Sequence, residues 1–273
     1  MSLTTSVQGW LRDLGPRERS ALVARSHIAA ETSTDVDEIV ATVSQDVFFA
    51  LPVRTRAGHE LRDGSVLTTF DDVRGYYSNR SGSYLVRDSS QLKSLTTDWY
   101  VFNETAATLQ GTGQVGDVDA TGKEWVVRSI VLFPTADDGI RGEICATRDP
   151  MDDVIRGTVA ATPGDELANG KLLDRFSLAA RAGEWDAVAA ELAEGHTLAV
   201  RADGEVHAAT GRDDSVAALR QLLAGDDLTL LVRVATDWYV FAEYLLDGGA
   251  RRLAVIQPVE AGKVVGTFGY GIA

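Results

Sequence analysis

The chain of 273 residues is short of the residue types on which several kinds of chemistry depend. It holds one cysteine, Cys145, so no disulfide can form within it and no cysteine-rich zinc site can be built. Its four histidines, His27, His59, His196 and His207, are scattered without ligand spacing, and neither a metal nor a cofactor is expected. Positive charge is scarce: 26 Lys and Arg stand against 40 Asp and Glu, a formal net charge of −14. Such a surface repels phosphate, which argues against nucleic acid or an anionic membrane as partner. No stretch approaches the roughly 20 apolar residues of a membrane helix. The opening segment MSLTTSVQGWLRDLGPRERS lacks a basic start followed by an apolar run, so no signal peptide and a cytoplasmic location are expected.

What is present is a repeat. TDWYVF stands at Thr97–Phe102 and again at Thr236–Phe241, each followed one residue later by a glutamate, Glu104 and Glu243. Trp and Tyr are rare, so chance is a poor explanation and a duplicated unit a good one. The element order supports it. The pattern predicts helices over 16–31, 34–46 and 68–80, the second capped by Thr34 or Asp35, with a short strand at 47–53 between the last two. Period-two strands follow at Leu85–Thr97, Asp98–Gly111, Lys123–Pro134 and Gly139–Asp149. The small, polar stretch GTVAATPGDELANG, 157–170, reads as a linker. Beyond it come helices at 171–183, 184–195 and 214–225, a strand at 196–202, and strands at Leu228–Thr236, Asp237–Asp247, Ala250–Pro258 and Lys263–Gly271. The fold class is α+β: helices packed on a curved, mostly antiparallel sheet, twice over. The expected domains are 1–156, the linker 157–170, and a shorter second copy, 171–273, that lacks the long hairpin LQGTGQVGDVDATGKEW.

These residues resemble a family. HIAAETSTDVDEIVATVSQDVFFALP and LFPTADDGIRGEICATRD in the first copy, with GEWDAVAAELAEGHTLAVR and AVIQPVEAGKVVGTFGYG in the second, are similar to the SnoaL-like and ketosteroid-isomerase-like domains of the nuclear-transport-factor-two superfamily. The resemblance implies two tandem cones, cystatin-like α+β barrels, each open at one end around a largely apolar pocket. It also implies that the sheets pair, here within one chain as an internal pseudo-dimer. The superfamily includes isomerases, polyketide cyclases, dehydratases, hydrolases and binding modules, so the fold alone names no reaction.

The isomerase residues are missing. Where the resemblance places the carboxylate base stand Leu51 and Val200; where it places the phenol stand His27 and Phe176; near the partner acid stand Ser129 and Ala254. His27 is the candidate proton carrier, because an imidazole facing an apolar pocket can exchange a proton near neutral pH. A core histidine bonded to a carbonyl is the plainer alternative. Asp149 and Tyr77 are candidate assistants, and Tyr76, Ser129 and Trp99 candidate ligand contacts. Each also has a packing or turn explanation. The second copy has Phe176, Leu222/Leu223 and Gly271 at the matching places and reads as scaffold. Two functions follow: a cofactor-independent acid/base lyase, cyclase or hydrolase acting on a small apolar molecule, or a binding or assembly module without catalysis.

Overall fold

The computed structural model describes residues 14–33, 35–159, 164–223 and 227–273. They form two compact units. One takes the described residues up to Leu51 together with Gly64–Val159; the other takes Pro52–Asp63 together with those from Gly164 on.

In the first unit, helix α1, Pro16–Ala30, starts at a proline whose missing N–H costs nothing there. Its buried residues Ser20, Val23, Ala24 and His27 recur at helical spacing and define one inward stripe. Helix α2 is short, Val36–Val40, with the Asp35 carboxylate accepting from the backbone N–H groups of Asp37 and Glu38. Thr34, the other expected cap, lies outside the described residues. The helix stops before Val43 because that residue bridges to Ile140, and the Ser44 N–H donates to the Ile140 carbonyl at 2.8 Å. Helix α3, Phe70–Ser83, is capped by the Thr69 hydroxyl, which accepts from the Asp72 N–H.

The expected strand over 47–53 is divided. Pro52 lacks the N–H a ladder needs. Strand β1, Phe49–Ala50, therefore stays in the first unit, while β2, Val53–Thr55, pairs with β3, Gly58–Glu60. After β4, Val66–Leu67, come β5, Tyr84–Thr96, and β6, Tyr100–Gly111. The small ribbon β7, Gln114–Val115, and β8, Val118–Asp119, precedes β9, Glu124–Ala136. The expected final strand is split into β10, Gly139–Ile140, and β11, Ile144–Thr147, and a helix the periodicity did not mark follows, α4, Met151–Arg156. The sheet order is β4-β1-β11-β9-β6-β5, open at both edges, with β1 parallel to β11. Along β6, Asn103, Thr105, Ala107 and Leu109 share one face; along β9, Val127, Ser129, Val131 and Phe133 share the same one.

The second unit repeats the plan. Helix α5, Glu166–Ala182, begins inside the segment read as a linker, because Asp165 caps it through the Ala168 N–H. Helix α6, Trp185–Glu191, leads into β12, Leu192–Ala202; β13, Glu205–Thr210, is a strand the sequence reading missed. Helix α7, Arg212–Leu223, is followed by β14, Thr229–Ala235, β15, Tyr239–Leu246, β16, Arg251–Glu260, and β17, Lys263–Ile272. The order is β13-β12-β17-β16-β15-β14, with β12 parallel to β17. The β2–β3 hairpin belongs to this unit. The Thr197 hydroxyl donates to the His59 carbonyl at 2.9 Å, the His59 and Phe268 rings lie 6.0 Å apart, and Arg54 pairs with Glu260 at 2.8 Å.

The repeated motif is a structural device in both units. The Thr97 hydroxyl accepts from the Tyr100 N–H at 3.1 Å, and the Thr97 N–H donates to the Tyr100 carbonyl at 2.9 Å. Thr236 and Tyr239 make the same two bonds at 3.2 and 2.9 Å. Trp99 stands edge-on to Tyr100 at 4.7 Å, and Trp238 to Tyr239 at 4.9 Å. The glutamates after the motif are buried and paired with an arginine on the next strand, Glu104 with Arg128 and Glu243 with Arg252. TDWYVF thus spells the tight turn into a central strand, and its glutamate joins that strand to its neighbour.

Candidate functional site

The first unit holds a partly open cavity of about 140 Å³ between α1, α3 and the inward face of the sheet. Most of its wall is apolar, with Leu109, Val127, Val131 and Phe133 contributed by β6 and β9. Its polar lining includes Glu31, Tyr76, Arg80, Tyr84, Ser129 and Glu143, with Ser89, Asn103, Thr105 and Thr147 from the sheet. Glu31 stands just past the end of α1, one turn after His27, and α3 supplies Tyr76 and Arg80 at i, i+4 spacing, with Tyr84 one turn further at the start of β5.

Glu143 is the centre of the arrangement. Gly142 allows the chain before β11 to lie against Phe48, since a side chain there would meet the Phe48 carbonyl at 1.8 Å. The Glu143 carbonyl accepts the Ala50 N–H at 3.0 Å, and its side chain turns to the cavity in the same register as Cys145 and Thr147. It is 7% exposed, a carboxyl all but removed from water. Burial, and after it the negative charge of Glu31, pushes it up to about 8, against the pull of Arg80 and the Tyr77 hydroxyl.

Glu31 and Arg80 form an ion pair with side chains 14% and 8% exposed. Burial opposes the Arg80 charge, but Glu31 more than offsets it, so the guanidinium is held protonated. Its carbon lies 4.7 Å from the centre of the Tyr77 ring. Burial raises the phenols of Tyr76 and Tyr77 well above their usual range and Tyr84 to about 12, and it raises the Cys145 thiol, so all four are neutral donors.

Behind the wall, Tyr77 stands between two groups. Its hydroxyl oxygen is 3.0 Å from His27 Nε2 and 3.1 Å from Glu143 Oε2. His27 Nδ1 is 2.7 Å from the Thr42 hydroxyl. His27 is fully buried, and that burial pushes its pKa down to about 4. The donor atoms of His27, Glu31 and Glu143 lie within 4.8 Å of one another, a set that could in principle hold a cation. Arg80 already supplies the positive charge to Glu31, and both His27 nitrogens have partners, so these residues fit a metal poorly.

The expected site residues therefore separate. Tyr76 and Ser129 line the cavity; Tyr77 and His27 stand directly behind it and are joined to Glu143. Asp149 lies near Arg148, 3.9 Å from its Nε, and does not line the cavity; nor does Trp99, which packs on Tyr100. Sequence reasoning missed Glu143, Glu31, Arg80 and Thr42. The signals were there: an acid in inward register with Cys145, and polar residues one helical turn from His27 and Tyr76.

No family model matches the chain, and no curated protein does. Solved structures similar to it include a candidate ketosteroid isomerase from Kribbella flavida, with 23% identity, covering 40% of this chain and 82% of that one at a TM-score of 0.34. A protein of ketosteroid-isomerase-like fold from Catenulispora acidiphila, solved with trimethylamine, has 12% identity, 48% and 91% coverage and a TM-score of 0.37. A nuclear-transport-factor-two-like protein from Anabaena variabilis has 12% identity, 47% and 88% coverage and a TM-score of 0.36. Each spans about half of this chain, and they carry the names of the group the sequence resembles. Among the described residues no helix is long and apolar enough to cross a membrane.

Proposed function

We propose that the first unit is a cofactor-independent acid/base enzyme acting on a small, largely apolar molecule that carries an oxygen function, by a lyase, cyclase or hydrolase step. The observation that carries this reading is Glu143: a buried carboxyl on a cavity wall, raised to about 8, which holds a proton it can deliver near neutral pH. The apolar wall would take the body of the substrate, and the neutral phenols of Tyr76 and Tyr84 would meet its oxygen. Arg80, tied to Glu31, would limit the cost of a negative charge left on Glu143. Glu143 replaces His27 as the proton carrier in this reading, because His27 binds a proton too weakly and stands one residue further from the substrate. The second unit would serve as scaffold.

The test is a panel of small ketones, epoxides, lactones and hydroxy-carbonyl compounds, followed for binding and turnover in wild type and Glu143→Gln. Turnover that falls with a basic limb near pH 8 and drops at least about 100-fold in the variant is expected. Binding without turnover, equal in both proteins, would make the unit a binding module instead.

A further inference from the structure

Glu143 has a chain of groups behind it, and their hydrogens can be counted. The Thr42 hydroxyl is 2.6 Å from the Ile39 carbonyl and 2.7 Å from His27 Nδ1. A carbonyl only accepts, so the Thr42 hydrogen goes to Ile39, and Thr42 Oγ1 then accepts a hydrogen carried on His27 Nδ1. A neutral imidazole so protonated has a lone pair on Nε2, which takes the Tyr77 hydrogen across 3.0 Å. The Tyr77 oxygen is left with lone pairs facing Glu143 Oε2 at 3.1 Å, and the last bond needs a hydrogen on the carboxyl. With a neutral imidazole, all four bonds exist together only when Glu143 is neutral; the other arrangement that satisfies all four, an imidazolium beside a Glu143 carboxylate, is opposed by the burial of both groups.

Ionising Glu143 reverses the chain. Tyr77 then donates to the carboxylate, His27 donates from Nε2 to Tyr77, and Nδ1 accepts from Thr42. The bond from Thr42 to Ile39 is given up, while the Ile39 carbonyl keeps the Thr42 N–H at 3.1 Å. The count closes. Four mobile protons become three, and the one lost is that of Glu143. The imidazole holds one ring proton in both arrangements, released at one nitrogen and regained at the other by exchange with water.

We infer that His27 and Thr42 are positioning residues that hold Glu143 in its proton-bearing form, and that His27 changes tautomer when Glu143 gives its proton up. The inference rests on the reading of Glu143 as the proton carrier. The groups that face Glu143 are His27 from α1 and Glu31 just past its end, Tyr76, Tyr77 and Arg80 from α3, Tyr84 from β5 and Cys145 from β11. Glu31 and Arg80 are paired and act on Glu143 in opposite directions, Glu31 the more strongly; the phenols and the thiol are neutral. Burial favours the proton on Glu143, and the direction of the hydrogen-bond chain adds a second local control. The displaced pKa values agree with a neutral carboxyl beside a neutral imidazole, Glu143 up to about 8 and His27 down to about 4.

The experiment is ¹H–¹⁵N NMR of the full chain labelled in histidine, with the His27 signals assigned by their loss in His27→Gln. At about pH 6.5 the ring should be neutral with its proton on Nδ1. Above about pH 9 it should still be neutral with its proton on Nε2, a change of at least about tenfold in the tautomer ratio. One tautomer at both pH values, or an imidazolium at pH 6.5, would overturn the inference. Thr42→Val gives a second reading through the carboxyl ¹³C shift of Glu143, whose ionisation constant should rise by about three- to tenfold. An unchanged titration would remove Thr42 from the chain. Turnover enters neither readout. A tautomer change in a protein that converts nothing keeps the chain and ends the proposed reaction, whereas a fixed tautomer in an active protein ends the chain alone.

Discussion

The two units share a sheet plan and a turn motif but spend their interiors differently. The first leaves a cavity of about 140 Å³ and lines it with a buried acid, an ion pair and phenols. In the second, the space between helices and sheet that Phe176, Leu219, Leu223, Tyr244 and Val255 surround has closed to about 10 Å³. What polarity it retains there is local: Tyr244 and Ser177 bond to each other at 3.0 Å, and Thr267 meets His196 at 3.0 Å and Gln257 at 3.1 Å. His27 and Phe176 mark the difference. One aromatic position on the first long helix carries a ring with two nitrogens in one unit and a hydrocarbon ring in the other. A sheet wrapped by helices does not itself dictate a pocket; the side chains on the inward stripes decide whether the space is filled.

The largest expected effect separates the units by activity. Glu143→Gln should lower turnover by about 10²- to 10⁴-fold, while Thr267→Val in the second unit should leave kcat within about twofold. Equal losses from both would break the comparison. Next comes stability. Arg80→Leu leaves Glu31 buried without its cation and should cost about 3–5 kcal/mol in denaturant unfolding. A cost under about 1 kcal/mol would mean that the pair behaves as an exposed one.

Smaller still is the pH dependence, for which the sign can be worked out. Glu143 binds its proton more tightly folded than unfolded, so its contribution to stability is whole below about pH 4.5 and is lost as pH rises to about 8. His27 and His196 act the other way: lowered from 6.5 to about 4 and about 3, they lose their contributions as pH falls below about 6.5. The acid limb is thus common to both units, and the limb between about pH 4.5 and 8 comes from the first. Thermal unfolding of Glu143→Gln should lack that limb and, at pH 9, exceed wild type by on the order of a few kcal/mol. The smallest effect is Asp149→Asn. With its carboxylate 3.9 Å from Arg148 and away from the cavity, the change should move stability by about 0.5 kcal/mol or less and turnover by less than about twofold. A loss of turnover comparable to that of Glu143→Gln would restore Asp149 to the site.

Much of the fold was legible because periodicity is local. The doubled motif, the helices around Val23, Val73, Leu172 and Leu219, and the long strands all read from spacing alone. One boundary failed where a distant partner intervened, as Val43 left its helix for Ile140; another failed where a local cap was overlooked, as Asp165 turned supposed linker into helix. The site was half legible. Tyr76, Tyr77, His27 and Ser129 were marked, but Glu143 was passed over because an acid on a strand ordinarily faces water. Only the folded chain brings Glu143 within 4.8 Å of His27 and Glu31, which stand far from it in sequence.

The hairpin Val53–Glu60 carries a consequence for how the molecule is made. It lies within the sequence of the first repeat yet belongs to the second unit, resting on Thr197 and Phe268. During synthesis it must wait for strands that emerge long after it, a late and distant closure of the kind that slows folding. A fragment beginning at the second repeat would lack it, leaving the Phe268 and Thr197 surface bare. The seam between the sequence repeats and the seam between the units do not coincide, so no single peptide bond divides the chain into its two units.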